Sequence, residues 1–83
     1  MKEAEIKEFL AKEICSSMYM ESSELEDNML FSDFGLESTT LVKILVTINE
    51  KYGCLINVEE FLSHQTLNAA SDFIYQKITV KTN

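Results

Sequence analysis

One serine stands where a side chain could be chemically modified. In the stretch Phe34-Gly35-Leu36-Glu37-Ser38-Thr39-Thr40-Leu41-Val42-Lys43-Ile44, a short turn ends in glycine, an acid precedes the serine, and an amphipathic run follows it. This layout predicts Ser38 at the mouth of a helix, exposed, with the Glu37 carboxylate beside it. A helix N-terminus presents unpaired N–H groups and a partial positive charge, so it receives an anion well. A serine there is suited to carry a phosphate or a phosphodiester. Serine is equally a preferred N-cap, and as a cap it would do nothing more. The stretch alone leaves both readings open.

The remaining reactive side chains point to no catalysis and no metal. His64 is the only histidine, and its neighbours show no metal-ligand spacing. The reading is a solvated loop histidine. Ser38 has an acid neighbour but no base, which makes a poor hydrolytic nucleophile. Cys15 and Cys54 lie far apart without metal spacing and read as buried or half-buried free thiols. Cys54 has only Lys51 nearby to lower its pKa, so a structural role is preferred.

The elements that must position Ser38 follow from hydrophobic period. Ile6, Phe9, Leu10 and Ile14 predict helix one, from Glu3 to about Ser16, with acid-first pairs Glu3–Lys7 and Glu8–Lys12 on its surface. Met18 to Glu37 is a long connection without a period. Ser23 and Glu26 have capping-box spacing, which suggests a short helical turn. Leu25, Met29, Leu30, Phe31, Phe34 and Leu36 are expected to pin this connection to the core.

Helix two is predicted over Ser38 to Tyr52, with Leu41, Ile44, Leu45, Ile48 and Tyr52 facing inward and Gly53 ending it. Val42 and Val46 lie on one edge of that stripe. They either widen the core stripe or form a small exposed strip where a partner docks, and the helical wheel weighs the two equally. Ile56, Val58, Phe61 and Leu62 are available for burial in the next connector, where Val58 to Leu62 suggests a short turn of helix. Thr66 reads as the N-cap of a last helix, about Leu67 to Lys77, with Leu67, Ala70, Ile74 and Ile78 on one face, and the chain beyond Val80 reads as a fraying tail.

Composition bounds the rest. The chain has 83 residues, which predicts one domain with a folded core of about 3–78. Hydrophobic content is 46%, enough for a globule, and with two glycines and no proline the pattern favours helices. Acids outnumber bases by 14 to 7, a net charge of −7, which argues against binding nucleic acid. No apolar run approaches the ~20 residues of a membrane span, and the N-terminus lacks a signal-peptide core. The expectation is a cytoplasmic protein that binds no membrane and is monomeric. The fold class expected is all-α, a small bundle of three to four helices with a long loop between helices one and two.

On these residues the chain resembles an acyl carrier protein, the phosphopantetheine-carrying domain of fatty-acid, polyketide and nonribosomal-peptide synthesis. The family's Leu-Gly-x-Asp-Ser-Leu signature stands here as Phe34-Gly35-Leu36-Glu37-Ser38-Thr39. The resemblance continues through Glu50-Lys51-Tyr52-Gly53 and reaches Thr66-Leu67-Asn68-Ala69-Ala70-Ser71-Asp72-Phe73-Ile74.

The resemblance implies that a phosphopantetheinyl transferase, using coenzyme A and magnesium, attaches 4′-phosphopantetheine to Ser38. The carrier itself is not an enzyme. Its implied partners are the transferase and an acyltransferase, ketosynthase or other synthase enzyme, with Glu37, Thr39, Val42, Lys43 and Val46 as partner-binding residues. Three positions depart from the signature. Glu37 replaces aspartate and keeps the charge; Thr39 replaces a leucine that partners contact; Phe34 replaces leucine before the glycine. Fatty-acid carriers have a strongly acidic helix two, whereas this one has Lys43 and Lys51 against Glu50. The expectation is therefore a carrier of a polyketide or hybrid polyketide–nonribosomal-peptide pathway, and the start at Met1 favours a discrete protein. The competing expectations are a fatty-acid carrier and an unmodified helical interaction module.

Overall fold

The computed structural model describes residues 2–81 of the chain. Four helices are found in this range: α1 (Glu3–Met18), α2 (Ser38–Tyr52), α3 (Val58–Leu62) and α4 (Leu67–Lys81). Helix α1 packs on α4 and α2, and α3 packs on α2. The body measures 36 × 23 × 19 Å. The fold is the all-α bundle expected, and among the described residues no helix is long and apolar enough to cross a membrane.

The 3.6-residue period explains the packing. Ile6, Leu10, Ile14 and Cys15 of α1, Leu41, Ile44, Leu45 and Ile48 of α2, and Leu67, Ala70, Ser71 and Ile74 of α4 are buried. Ser71 is the polar member of this set, and its hydroxyl donates to the Asn68 carbonyl at 3.2 Å. Phe9 and Tyr52 meet edge to face at 6.0 Å, joining α1 to α2. Lys51 then lies 4.8 Å from the Phe9 ring centre, so its cation covers the aromatic pair.

The long first connection is built rather than loose. It contains two 3₁₀ turns, Ser22–Glu24 and Phe31–Phe34. Leu25, Phe31 and Leu36 are buried, and Phe34 packs against the core. Leu30, expected among the pins, is 47% exposed, and it lies in an isolated antiparallel bridge to Thr66. The capping interaction is displaced by two residues from the Ser23–Glu26 expectation: the Glu21 N–H donates to Glu24 Oε1 at 2.8 Å. Three further hydrogen bonds lace this connection to the start of α4. They run from Phe31 N–H to the Gln65 carbonyl at 2.8 Å, from Asn68 N–H to the Asp27 carbonyl at 3.0 Å, and from Asn68 Nδ2 to Asn28 Oδ1 at 2.9 Å. Lys7 reaches Asp27 at 2.5 Å and not the expected Glu3, which fastens the same connection to α1.

Three chain reversals share one geometry. Tyr19, Gly35 and Gly53 all adopt left-handed backbone, with φ of 54°, 78° and 62°. After each, an N–H reaches back five residues: Met20 to the Cys15 carbonyl, Leu36 to that of Phe31, and Cys54 to that of Asn49. These are Schellman closures, which favour glycine at the left-handed position. Tyr19 occupies one without that freedom and is 97% exposed.

The remaining differences from the sequence reading are local. Helix α4 continues four residues past the expected Lys77, with Ile78 against the core and Thr79 Oγ1 bonded to the Tyr75 carbonyl at 2.9 Å. Residues 82–83 of the expected tail lie outside the described residues. Val58 is 40% exposed, while Ile56 and Phe61 supply the buried groups of that connector. His64 is half-buried rather than solvated, its ring 4.3 Å from that of Phe73. Thr66 caps α4 as expected, its hydroxyl accepting from Ala69 N–H at 3.1 Å.

Candidate functional site

The turn before Ser38 is fixed by its own backbone. The Gly35 N–H donates to the Ser32 carbonyl at 3.2 Å, and the Leu36 N–H to the Phe31 carbonyl at 3.0 Å. The left-handed φ of 78° at Gly35 turns the chain so that Leu36 enters the core, where it is 6% exposed. A Cβ at Gly35 would meet nothing within 4 Å, so backbone conformation, not space, calls for glycine there. Leu36 is the inner anchor, and the next residue caps the helix that follows.

Glu37, not Ser38, is the N-cap of α2. Its backbone is extended, and its carbonyl accepts the first helical bonds, from Thr40 and Leu41 N–H, both at 3.1 Å. Ser38 is the first residue of the helix proper. The plain capping role for Ser38 is therefore excluded by position. Its hydroxyl is exposed and forms no hydrogen bond among the described residues. The N–H groups of Ser38 and Thr39 likewise find no acceptor there, and the Glu37 side chain makes no capping bond. A free hydroxyl thus sits beside two free N–H donors at the positive end of a 15-residue helix.

The five other residues singled out in the sequence are distributed around this point. Glu37 and Thr39 are exposed on either side of Ser38. Lys43 is exposed one turn along α2, Val42 is half-buried, and Val46 is 53% exposed. Neither valine belongs to the core cluster, so the pair does not simply widen the core stripe. The other end of α2 is held by Asn49, whose importance the sequence reading missed. Its Oδ1 accepts from Ile56 N–H at 3.0 Å and from the Cys54 thiol at 3.3 Å. An asparagine one turn before a helix-ending glycine is a poor helix former, and that was the available signal.

Among the described residues, no group of His, Cys, Asp and Glu is arranged to hold a metal. Cys15 and Cys54 are buried free thiols. Burial raises the Cys15 pKa, and the Glu24 and Glu21 carboxylates raise it further, so this thiol is held protonated.

No curated protein matches the chain. Among solved structures, the chain is similar to the NMR structure of the HMG-ACPI domain from the CurA module from Lyngbya majuscula. The two share 28% sequence identity with a TM-score of 0.82, over 99% of this chain and 83% of the other. The family described as phosphopantetheine attachment site matches residues 8–74, a span that contains the Gly35–Ser38 turn, all of α2 and the first half of α4. The chain belongs to the phosphopantetheine-attachment family of carrier domains.

Proposed function

We propose that Ser38 is the attachment point of a 4′-phosphopantetheine arm, and that the whole chain acts as one monomeric carrier domain. The observation that carries this reading is the Ser38 hydroxyl at the first position of α2, unbonded among the described residues, next to two N–H groups without acceptors there. The residues fit the group. A phosphodiester on Ser38 Oγ would lie where Ser38 and Thr39 N–H can donate to it, with the helix dipole favouring its charge. When bound, the arm supplies a terminal thiol that holds an acyl, aminoacyl or peptidyl group as a thioester.

The chain's own work is to present and position. In the loading step a phosphopantetheinyl transferase, with magnesium, would join Ser38 Oγ to the pantetheine-bearing phosphorus of the coenzyme A diphosphate, breaking that phosphorus's bond to the bridging oxygen. The hydroxyl proton leaves, and the nucleotide part of coenzyme A departs. The carrier makes no further bond. Tethering raises the effective concentration of an intermediate at each partner's active site. The partners are the transferase and acyltransferase, ketosynthase or other synthase enzymes, which approach past Glu37, Thr39, Val42, Lys43 and Val46.

The pathway reading is polyketide or hybrid polyketide–nonribosomal-peptide synthesis, in the cytoplasm. Likeness to the HMG-ACPI domain of the CurA module supports it. So does the charge of α2, where two lysines face one glutamate. The test is intact-mass spectrometry after incubation with coenzyme A, magnesium and a panel of transferases, with Ser38→Ala alongside. A gain of one phosphopantetheine, absent from Ser38→Ala, is expected. A folded protein that gains nothing from any transferase overturns the reading in favour of an unmodified interaction module.

A further inference from the structure

The surface beside Ser38 has a specific chemistry. Positions 39, 43, 46 and 50 recur at helical spacing and share the outer side of α2. Thr39, Lys43, Val46 and Glu50 are all exposed there, and Val46 is 53% exposed. The ion pairs found among the described residues are Lys7–Asp27 and Lys77–Glu60, and neither involves Lys43. Glu50, the one acid inside α2, lies two turns further on, about 10 Å along the axis. A chain of net charge −7 therefore presents a cation and an apolar side chain, with no paired carboxylate, on the helix face that leads away from Ser38.

We propose that this face docks an acyl-processing partner enzyme whose active-site entrance carries an apolar socket for Val46 and a carboxylate for Lys43. The proposal rests on Ser38 as the attachment point. Charge complementarity selects the partner: a carboxylate opposite Lys43 meets an opposite charge, whereas a lysine or arginine there meets a like charge. Val46 gives the contact a desolvated centre, and the exposed edge of Val42 extends it.

The test uses the full chain loaded at Ser38 with a chloroacrylamide-bearing pantetheine arm. A ketosynthase's active-site cysteine displaces the chloride, so a carbon–sulfur bond forms, chloride leaves, and docking is trapped as a cross-link. Two ketosynthases serve as probes, one with an acid-lined entrance and one with a base-lined entrance. The acid-lined enzyme is expected to cross-link about threefold to tenfold faster. Lys43→Glu is expected to invert this order and Lys43→Gln to flatten it. Val46→Ser is expected to slow both enzymes by about fivefold. These side chains are exposed, and circular dichroism checks that each variant remains helical. An unchanged order in Lys43→Glu, a base-lined preference in the parent, or an unaffected Val46→Ser overturns the docking proposal. Loading is measured first by mass, so a chain that fails to load overturns the attachment reading and the docking proposal with it. A chain that loads but shows no charge preference overturns the docking proposal alone.

Discussion

The Asn49 side-chain oxygen accepts the Ile56 N–H at 3.0 Å, across the turn that ends α2. The same oxygen takes the Cys54 thiol at 3.3 Å, so one side chain orders the whole exit of the helix. Asn49→Ala leaves a partly buried N–H and a buried thiol without that acceptor. The expected cost is about 1–3 kcal/mol in urea unfolding. A loss below about 0.5 kcal/mol would show that water replaces the side chain fully.

Ser38→Ala separates attachment from capping by stability. Among the described residues the Ser38 hydroxyl bonds nothing, and Glu37 holds the cap position. The substitution is expected to leave stability within about 0.5 kcal/mol of the parent while removing the attachment point. A capping serine would instead cost about 1 kcal/mol. Chemical denaturation of the unloaded proteins distinguishes the two.

Gly35→Ala introduces strain without a clash, because φ is 78° and the site is open. A loss of about 1 kcal/mol is expected, with an unchanged denaturant slope. A neutral result would mean that the turn can relax out of the left-handed region.

Tyr19→Gly runs the other way. Tyr19 pays for a left-handed φ of 54° while 97% exposed, so its ring contributes little packing in return. Glycine removes the steric cost, partly offset by a more flexible unfolded chain. A gain of about 0.5–1 kcal/mol is expected in thermal or urea unfolding. A loss would reveal a packing role for the tyrosine.

Alkaline pH is expected to destabilise the fold. The Cys15 pKa is raised above its ordinary 9.0, first by burial and then by Glu24 and Glu21. The Tyr52 pKa is raised above 10.0 by burial and then by Glu5. In the unfolded chain both groups ionise at their ordinary values, whereas the folded chain keeps them protonated. Stability is therefore unaffected by them below about pH 8, and falls as pH rises through 9 and beyond. Urea midpoints between pH 7 and pH 10.5 check the sign. Cys15→Ser should flatten the first part of the decline.

The sequence showed the architecture where period and punctuation agree. The stripes of α1 and α2, the stop at Gly53 and the cap at Thr66 needed only local chemistry. The placement of Ser38 at an exposed helix mouth was legible for the same reason. What the sequence hid depends on competition between equivalent signals. Glu21–Glu24 and Ser23–Glu26 have the same spacing, and glutamate is the less familiar cap, so the register of the first 3₁₀ turn was ambiguous. The end of α4 was obscured by the β-branched run Ile78-Thr79-Val80, which lowers helix propensity, although Ile78 packs against the core. The position of Val46 could not be decided by a wheel, because its exposure depends on which neighbours cover the edge of α2. Asn68 and Asn28, which are 40 positions apart, carried no local signal at all.

That distant asparagine pair has a mechanical consequence. The segment leading to Ser38 is stitched to the root of α4 at Asp27, Asn28 and Phe31, and Leu36 is sunk in the core immediately before the helix. Ser38 therefore moves with the body as a rigid pivot, not with a swinging lead. Anything hung from it sweeps a dome centred on the tip of α2, whose radius is the length of the tether. Reorienting that dome requires turning the whole domain, so the approach angle of α2 alone decides which neighbouring entrances fall within reach.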